Sequence, residues 1–213
     1  YNINKKIDII KTENNNGYAN GNNFGVYYAI KEYNADYVLI ANPDILFSED
    51  VIVEIENQFK RNSDIAVLAP LVSNGYNSWK LPNYSKILAS MFLYLNKKFG
   101  NQVYKTQKED INYVDVVAGS LFAIRSNVFT EINGFDNRTF LYYEENILAY
   151  KLRQKGYKSA ILGNVRYDHC HAASIKKVYK SKLKLFKIIS KSIKIYAYFY
   201  LNVNIFQKIL MKF

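Results

Sequence analysis

The sequence predicts an α/β fold with a basic helical tail. Three observations carry that reading. Short continuous apolar runs are bounded by turn residues, stretches with helical spacing lie between them, and the composition (213 residues, 49% hydrophobic, 22% charged) is that of a chain with a real core. The length suits one domain, or one domain with an appendage.

In chain order, Ile7-Asp8-Ile9-Ile10 reads as a short strand, followed by a loop rich in Asn and Gly over residues 14–23. A helix follows with Phe24, Tyr27, Tyr28 and Ile30 on one side. The run Tyr37-Val38-Leu39-Ile40-Ala41 predicts a strand buried on both faces. Ser48-Glu49-Asp50 opens a helix reaching about Arg61, and residues 65–71 form another buried strand. Residues 73–112 show no regular pattern. Residues 114–124 predict a strand interrupted at Gly119, and Ser126 is the expected cap of a short helix ending at Asn133-Gly134. Residues 144–155 read as a helix closed by Gly156, with short strands at 159–162 and 165–167. No internal repeat is present.

The net charge is +11, and its placement matters more than its size. Residues 175–213 hold ten lysines and no acid, so about +1 remains for everything before them. The expected organisation is a body over residues 1–174 and a basic amphipathic tail over 175–213. In that tail Lys180, Lys184, Lys187, Lys191 and Lys194 share one helix face, and Leu185, Ile188, Ile189, Tyr196 and Phe199 share the opposite one. Two uses of the tail fit this pattern: peripheral attachment to an anionic membrane surface, or packing of the apolar face on the body with the lysines solvated. Cys170 is the single cysteine, which excludes an internal disulfide framework and a cysteine-rich zinc site. The residues read carry no secretory signal and no apolar run of about 20 residues, so the expectation is a cytoplasmic protein.

Four groups of residues offer chemistry. Asn42-Pro43-Asp44 follows an apolar strand, where open α/β sheets bind ligands; Asp44 there suits a divalent cation, although the tripeptide is also ordinary turn chemistry. Glu144 and Glu145 open a helix behind an aromatic lead-in, as a general base in a partly apolar site or as simple charging of a helix N-terminus. Asp168-His169-Cys170-His171 places two histidines on one side of an extended segment, too few ligands to complete a metal site. Gly119 marks a bulge or a close approach of a ligand to the backbone.

Taken in order, these pieces resemble the inverting GT-A glycosyltransferases of family 2, with the rhamnosyltransferase-like and capsular polysaccharide members nearest. Asn15-Asn16-Gly17-Tyr18-Ala19-Asn20-Gly21-Asn22-Asn23 is similar to that family's Asn/Gly loop, and Asn42-Pro43-Asp44 to its metal motif. Gly119-Ser120, Gly134-Phe135-Asp136 with Tyr142-Tyr143-Glu144-Glu145, and His169 with Ser174 look like its later blocks. The resemblance runs from about residue 10 to residue 175. It implies a Rossmann-like mixed sheet and transfer of a sugar from a nucleoside-diphosphate donor, with inversion, to a saccharide or lipid-linked acceptor in cell-surface polysaccharide synthesis. It assigns Mg²⁺ or Mn²⁺ to Asp44 and His169 rather than His171. Glu145, or Glu144 beside it, becomes the base. Asn15, Gly17, Asn22, Asn42 and Gly119 become donor-binding residues. Glu145 stands where the family often has Asp, and Ile147 where it often has a second Asp. The family opens with a strand–helix–strand unit, and this sequence begins near that unit's end. The resemblance therefore implies an exposed sheet edge, part of the nucleotide pocket outside residues 1–213, and little activity from those residues alone.

Two other classes fit parts of the sequence. A nucleic-acid module fits the charge, but the sequence shows no such motif and its basic tail has lysine without arginine, so no nucleic-acid partner is expected. A nucleotidyltransferase, or an inactive glycosyltransferase fragment, remains the alternative.

Overall fold

The computed structural model of the chain describes residues 7–91, 110–170 and 182–211. In chain order its elements are α1 (Tyr18–Tyr33), β1 (Tyr37–Ala41), β2 (Ile45–Phe47), α2 (Glu49–Arg61), β3 (Ile65–Val72), β4 (Ser78–Trp79), α3 (Tyr84–Met91), β5 (Ile111–Val114), β6 (Val116–Val117), β7 (Leu121–Arg125), α4 (Ser126–Glu131), α5 (Glu144–Gln154), β8 (Lys158–His169), α6 (Lys182–Tyr200) and α7 (Ile205–Leu210).

A mixed six-stranded sheet runs β1-β7-β3-β8-β2, with β5 also pairing on β8. β3 and β8 are parallel, while β7 is antiparallel to both β1 and β3, so β1, β3 and β8 point the same way. Every residue of β3 is buried. Alternation along β3 and β7 sends Val67, Ala69, Phe122 and Ile124 to one face, against α1, α4 and α5. Leu68 and Ala123 go to the other face, joined by Ile65 across a register shift before Val67, and Val51, Ile55 and Phe59 of α2 cover them. Arg125 pins this second layer: its guanidinium donates to the carbonyls of Phe59, Asn62 and Ile65 and lies over the Phe59 ring.

Several sequence expectations change. Residues 7–10 form no strand and are exposed, because no described strand lies beside them; Tyr28 and Tyr33 instead donate to the Asp8 carboxylate. α1 begins at Tyr18, inside the expected loop, and buries Ala19, Asn23 and Val26, leaving Phe24 and Tyr27 outward. β1 is a strand, but a half-buried one, with β7 as its one partner among the described residues. The cap of α4 is Arg125, and the Ser126 hydroxyl is buried without a hydrogen bond. The two short strands expected near 159 and 165 are one long β8, whose residues 163–165 bulge out of the ladder with β3. From Val165, the last bulge residue, the chain alternates: Val165 and Tyr167 are buried while Arg166 and Asp168 are exposed.

The tail packs on the body. Ile193, Tyr196 and Ala197 of α6, with Val203 and Met211 on either side of α7, share a cluster with Ile87 and Ile147. Ile147, where the resemblance leads one to look for an acid, is fully buried there. The Tyr200 hydroxyl and the Arg138 guanidinium both donate to buried Asp136. Burial alone would raise the Asp136 carboxyl, but these donors hold it below its ordinary value.

Candidate active site

The carboxyl ends of β1, β3 and β8 meet at one edge of the sheet, together with the turn that enters β7. A cleft of about 480 Å³ opens there, lined by Asn42, Asn77, Gly119, Glu144, Glu145 and His169 among others. Tyr18, Tyr142 and Tyr167 add aromatic walls.

Strand pairing assembles the first polar group. The β2–β8 ladder sets Ile45 opposite His169, and the Cys170 amide donates to the Asp44 carbonyl at 2.9 Å. Asp44 and His169 are thereby held side by side, Oδ1 to Nε2 3.4 Å, each about a fifth exposed. Asn42 is fixed by its amide, which donates to the Ser120 carbonyl at 2.8 Å. Ser120 in turn shares a 2.7 Å hydrogen bond with the Tyr167 hydroxyl.

The second group comes from the start of α5. Tyr142 and Tyr143 both take left-handed backbone angles, φ 68° and 69°, a costly conformation for aromatic residues. The chain turns there into the helix that delivers Glu144 and Glu145. Glu144 is 3% exposed, and its Oε2 has no hydrogen-bond partner. Burial, and then the neighbouring Glu145 charge, raise its pKa. Burial also raises Glu145, against which the Gly119 N–H, donating to Oε1 at 3.3 Å, pulls it down.

Gly119 is the hub of this arrangement. Its carbonyl accepts from the Tyr18 hydroxyl at 2.6 Å. A Cβ at this position would lie 2.8 Å from that hydroxyl and 3.0 Å from the Glu145 carboxylate. The close approach expected at Gly119 is therefore made by the protein's own side chains. Tyr18 stays protonated as a donor, its pKa raised well above the ordinary value by burial and then by the two glutamates.

Asn42, Gly119, Glu144, Glu145 and His169 thus share one cleft, and Asp44 joins through His169. Asn15, Gly17 and Asn22 stand apart from its lining and shape the head of α1. Asn15 Oδ1 accepts from the Gly17 amide, and Asn22 Nδ2 donates to the Tyr18 carbonyl. Gly17, at φ 91°, lies so close to Phe140 that a Cβ would sit 2.0 Å from its carbonyl oxygen. Asn23 bonds the amide and carbonyl of Phe135 and the Asn137 side chain, tying α1 to the Gly134-Phe135-Asp136 segment. His171 and Ser174 lie outside the described residues. Tyr18 and Tyr167 were missed by sequence reasoning, since a tyrosine in a chain with 20 of them carries no signal of its own.

No group of three or more His, Cys, Asp or Glu side chains suited to a metal forms among the described residues. One carboxylate and one imidazole side by side are a partial donor set. It fits a divalent cation that takes its other ligands from phosphate oxygens and water.

The chain is similar in sequence to two glycosyltransferases. It is 27% identical over 151 residues to the low-salt glycan biosynthesis hexosyltransferase Agl10 of Haloferax volcanii, covering 70% of this chain and 47% of that one. It is 30% identical over 152 residues to the rhamnosyltransferase WbbL of Escherichia coli strain K12, covering 66% and 55%. The chain thus spans about half the length of the curated relatives it matches. Among solved structures it is similar to GalNAc-T7, crystallised with UDP, GalNAc and Mn²⁺, with a TM-score of 0.57 and 16% identity over 76% of this chain and 31% of that one. No protein-family model matches. The class follows: the fold is the GT-A glycosyltransferase fold. Within that class, the two sequence relatives, named a hexosyltransferase and a rhamnosyltransferase, support the resemblance to family 2.

Proposed function

We propose that this chain forms the catalytic centre of a glycosyltransferase. It would move a sugar from a nucleoside-diphosphate donor to a hydroxyl of a saccharide or lipid-linked saccharide, with inversion, in cell-surface polysaccharide synthesis. The observation that carries this reading is that a half-buried carboxylate raised above its ordinary value, Glu145, shares one cleft with His169, which has Asp44 beside it at the strand ends.

Glu145 is the base. It takes the proton of the acceptor hydroxyl as that oxygen bonds to the anomeric carbon, and the bond from that carbon to the diphosphate breaks with its electron pair leaving on the diphosphate. Attack from the opposite side inverts the centre. The raised Glu145 pKa makes it a stronger base than an exposed glutamate. The Gly119 N–H and the Tyr18 hydroxyl hold the loop and carboxylate in place. Asp44 and His169 would hold Mg²⁺ or Mn²⁺. When bound, such an ion offsets charge on a departing diphosphate. The names of the relatives, a hexosyltransferase and a rhamnosyltransferase, support a hexose or deoxyhexose donor.

The test is binding and turnover of uridine and thymidine diphosphate sugars with Mn²⁺ or Mg²⁺, comparing the chain with Asp44→Asn. The variant should lose metal-dependent donor binding by roughly a hundredfold or more, as expected for a lost charge-offsetting contact. Unchanged metal-dependent binding would sink the assignment.

A further inference from the structure

The helical tail packs one apolar surface on the body and, among the described residues, leaves another uncovered. Ile189, Ile193 and Tyr196 of α6 face inward, onto the cluster around Ile87 and Ile147. The other surface belongs to α7. Ile205, Phe206, Ile209 and Leu210 fall on one side of that helix and are 65%, 75%, 45% and 50% exposed. None of the residues of α7 is buried.

This outward orientation is built in. Asn204 and Gln207 form a reciprocal capping box at the start of α7. Val203 before the helix and Met211 after it are buried anchors. Tyr84 of the body donates to the Gln207 carbonyl, and Tyr198 of α6 to the Lys208 carbonyl. A helix fixed on its polar side and at both ends presents its apolar side to the surroundings.

The charge beside it is of one sign. Lys187, Lys191 and Lys194 line a groove along α6 together with Phe186 and Tyr198. Lys208 of α7 lies over the Tyr198 ring, 5.6 Å from its centre, and Tyr198 lines the same groove. Residues 171–213 contain no Asp or Glu to neutralise it. No described helix is long and apolar enough to cross a membrane.

We infer that α7 and the lysine row of α6 form a peripheral docking surface for an anionic lipid bilayer. Ile205, Phe206, Ile209 and Leu210 enter the headgroup boundary, and Lys187, Lys191 and Lys194 meet lipid phosphates. The face differs from the one the sequence pattern suggested, since Ile189 and Tyr196 are already used in packing. The charge selects lipid over a second copy of this chain, whose own tail would bring lysines against lysines.

The experiment is flotation of the whole chain with phosphatidylcholine vesicles, with and without phosphatidylglycerol, and sedimentation without lipid. Binding should require the anionic lipid and fall as salt rises. Phe206→Ser with Ile209→Ser should lower it at least tenfold without moving the thermal midpoint. Lys187→Gln, Lys191→Gln and Lys194→Gln should each lower it by about fivefold. The lysine series stays informative even if the double serine variant unfolds. Failure to float with anionic vesicles overturns the inference. So does full binding by either set of variants, or a lipid-free dimer that Phe206→Ser disperses. None of these readouts depends on glycosyl transfer.

Discussion

Asn15, Gly17, Asn22 and Asn23 at the head of α1 are the same kinds of residue as Asn42 and Asp44 at the end of β1. The structure uses them differently. At the α1 head, side-chain amides satisfy the protein's own backbone, and Gly17 lets the chain pass the Phe140 carbonyl. At the β1 end, backbone groups are satisfied by strand pairing and by Ser120, which leaves the Asp44 carboxylate facing His169. The difference teaches that residue type cannot separate a clamp from a binding group. What separates them is whether the backbone needs the side chain.

Substitutions can break this contrast, and the largest effect belongs to the cleft. Glu145→Gln should cut turnover by about 10² to 10⁴ while leaving the fold and donor binding intact, as expected for loss of a general base. Steady-state rates beside a thermal melt would check it; a variant with normal turnover removes Glu145 from the chemistry.

At the α1 head the effect should move to stability. Asn23→Ala removes three hydrogen bonds in a buried setting and should cost about 2–4 kcal/mol in urea unfolding. The folded fraction should keep its donor affinity. Gly17→Ala, forced into φ 91° against Phe140, should behave likewise. A loss of donor affinity at unchanged stability would move the α1 head back among the binding residues.

Glu144 supplies a pH signature. Its folded pKa lies above its unfolded one, so the folded state holds the proton more tightly. Its contribution to stability is complete below the ordinary 4.5 and is lost as pH rises towards about 8. Glu144→Gln should therefore flatten the fall in unfolding free energy across that window. An unchanged pH profile would mean that the Glu144 carboxyl is solvated in the folded protein.

The smallest effect is expected at Ser126. Its hydroxyl is buried without a partner, so Ser126→Ala should change stability by less than about 1 kcal/mol, in the stabilising direction if at all. A clear loss would reveal a hydrogen bond at that hydroxyl.

β3 was legible because it is an apolar run between turns, the pattern that fully covered strands impose, whereas the single strand expected over residues 114–124 is divided among β5, β6 and β7. Asp44, Glu145 and His169 were legible through the order of their motifs. Their convergence was not, because it depends on the Ile45–His169 register and on two left-handed tyrosines for which the sequence has no glycine marker. The burial of β1 was overestimated for a similar reason: an apolar run reports what a strand prefers, while pairing decides whether it lies at an edge. Periodicity in α6 identified a packing face but carried no information about α7, which is too short to show a period.

The bulge at residues 163–165 acts on the far end of β8 as a question of odd and even. From Val165 to His169 side chains alternate, so Tyr167 and His169 turn toward the cleft while Arg166 and Asp168 turn to solvent. Inserting one residue into the bulge while the lower half of β8 stays in its ladder would reverse that assignment for every later residue. Asp168 would then take the place beside Asp44, and two carboxylates would stand where a carboxylate and an imidazole stand now. The length of a loop within a strand, more than the identity of any residue in it, sets which donor atoms Asp44 meets.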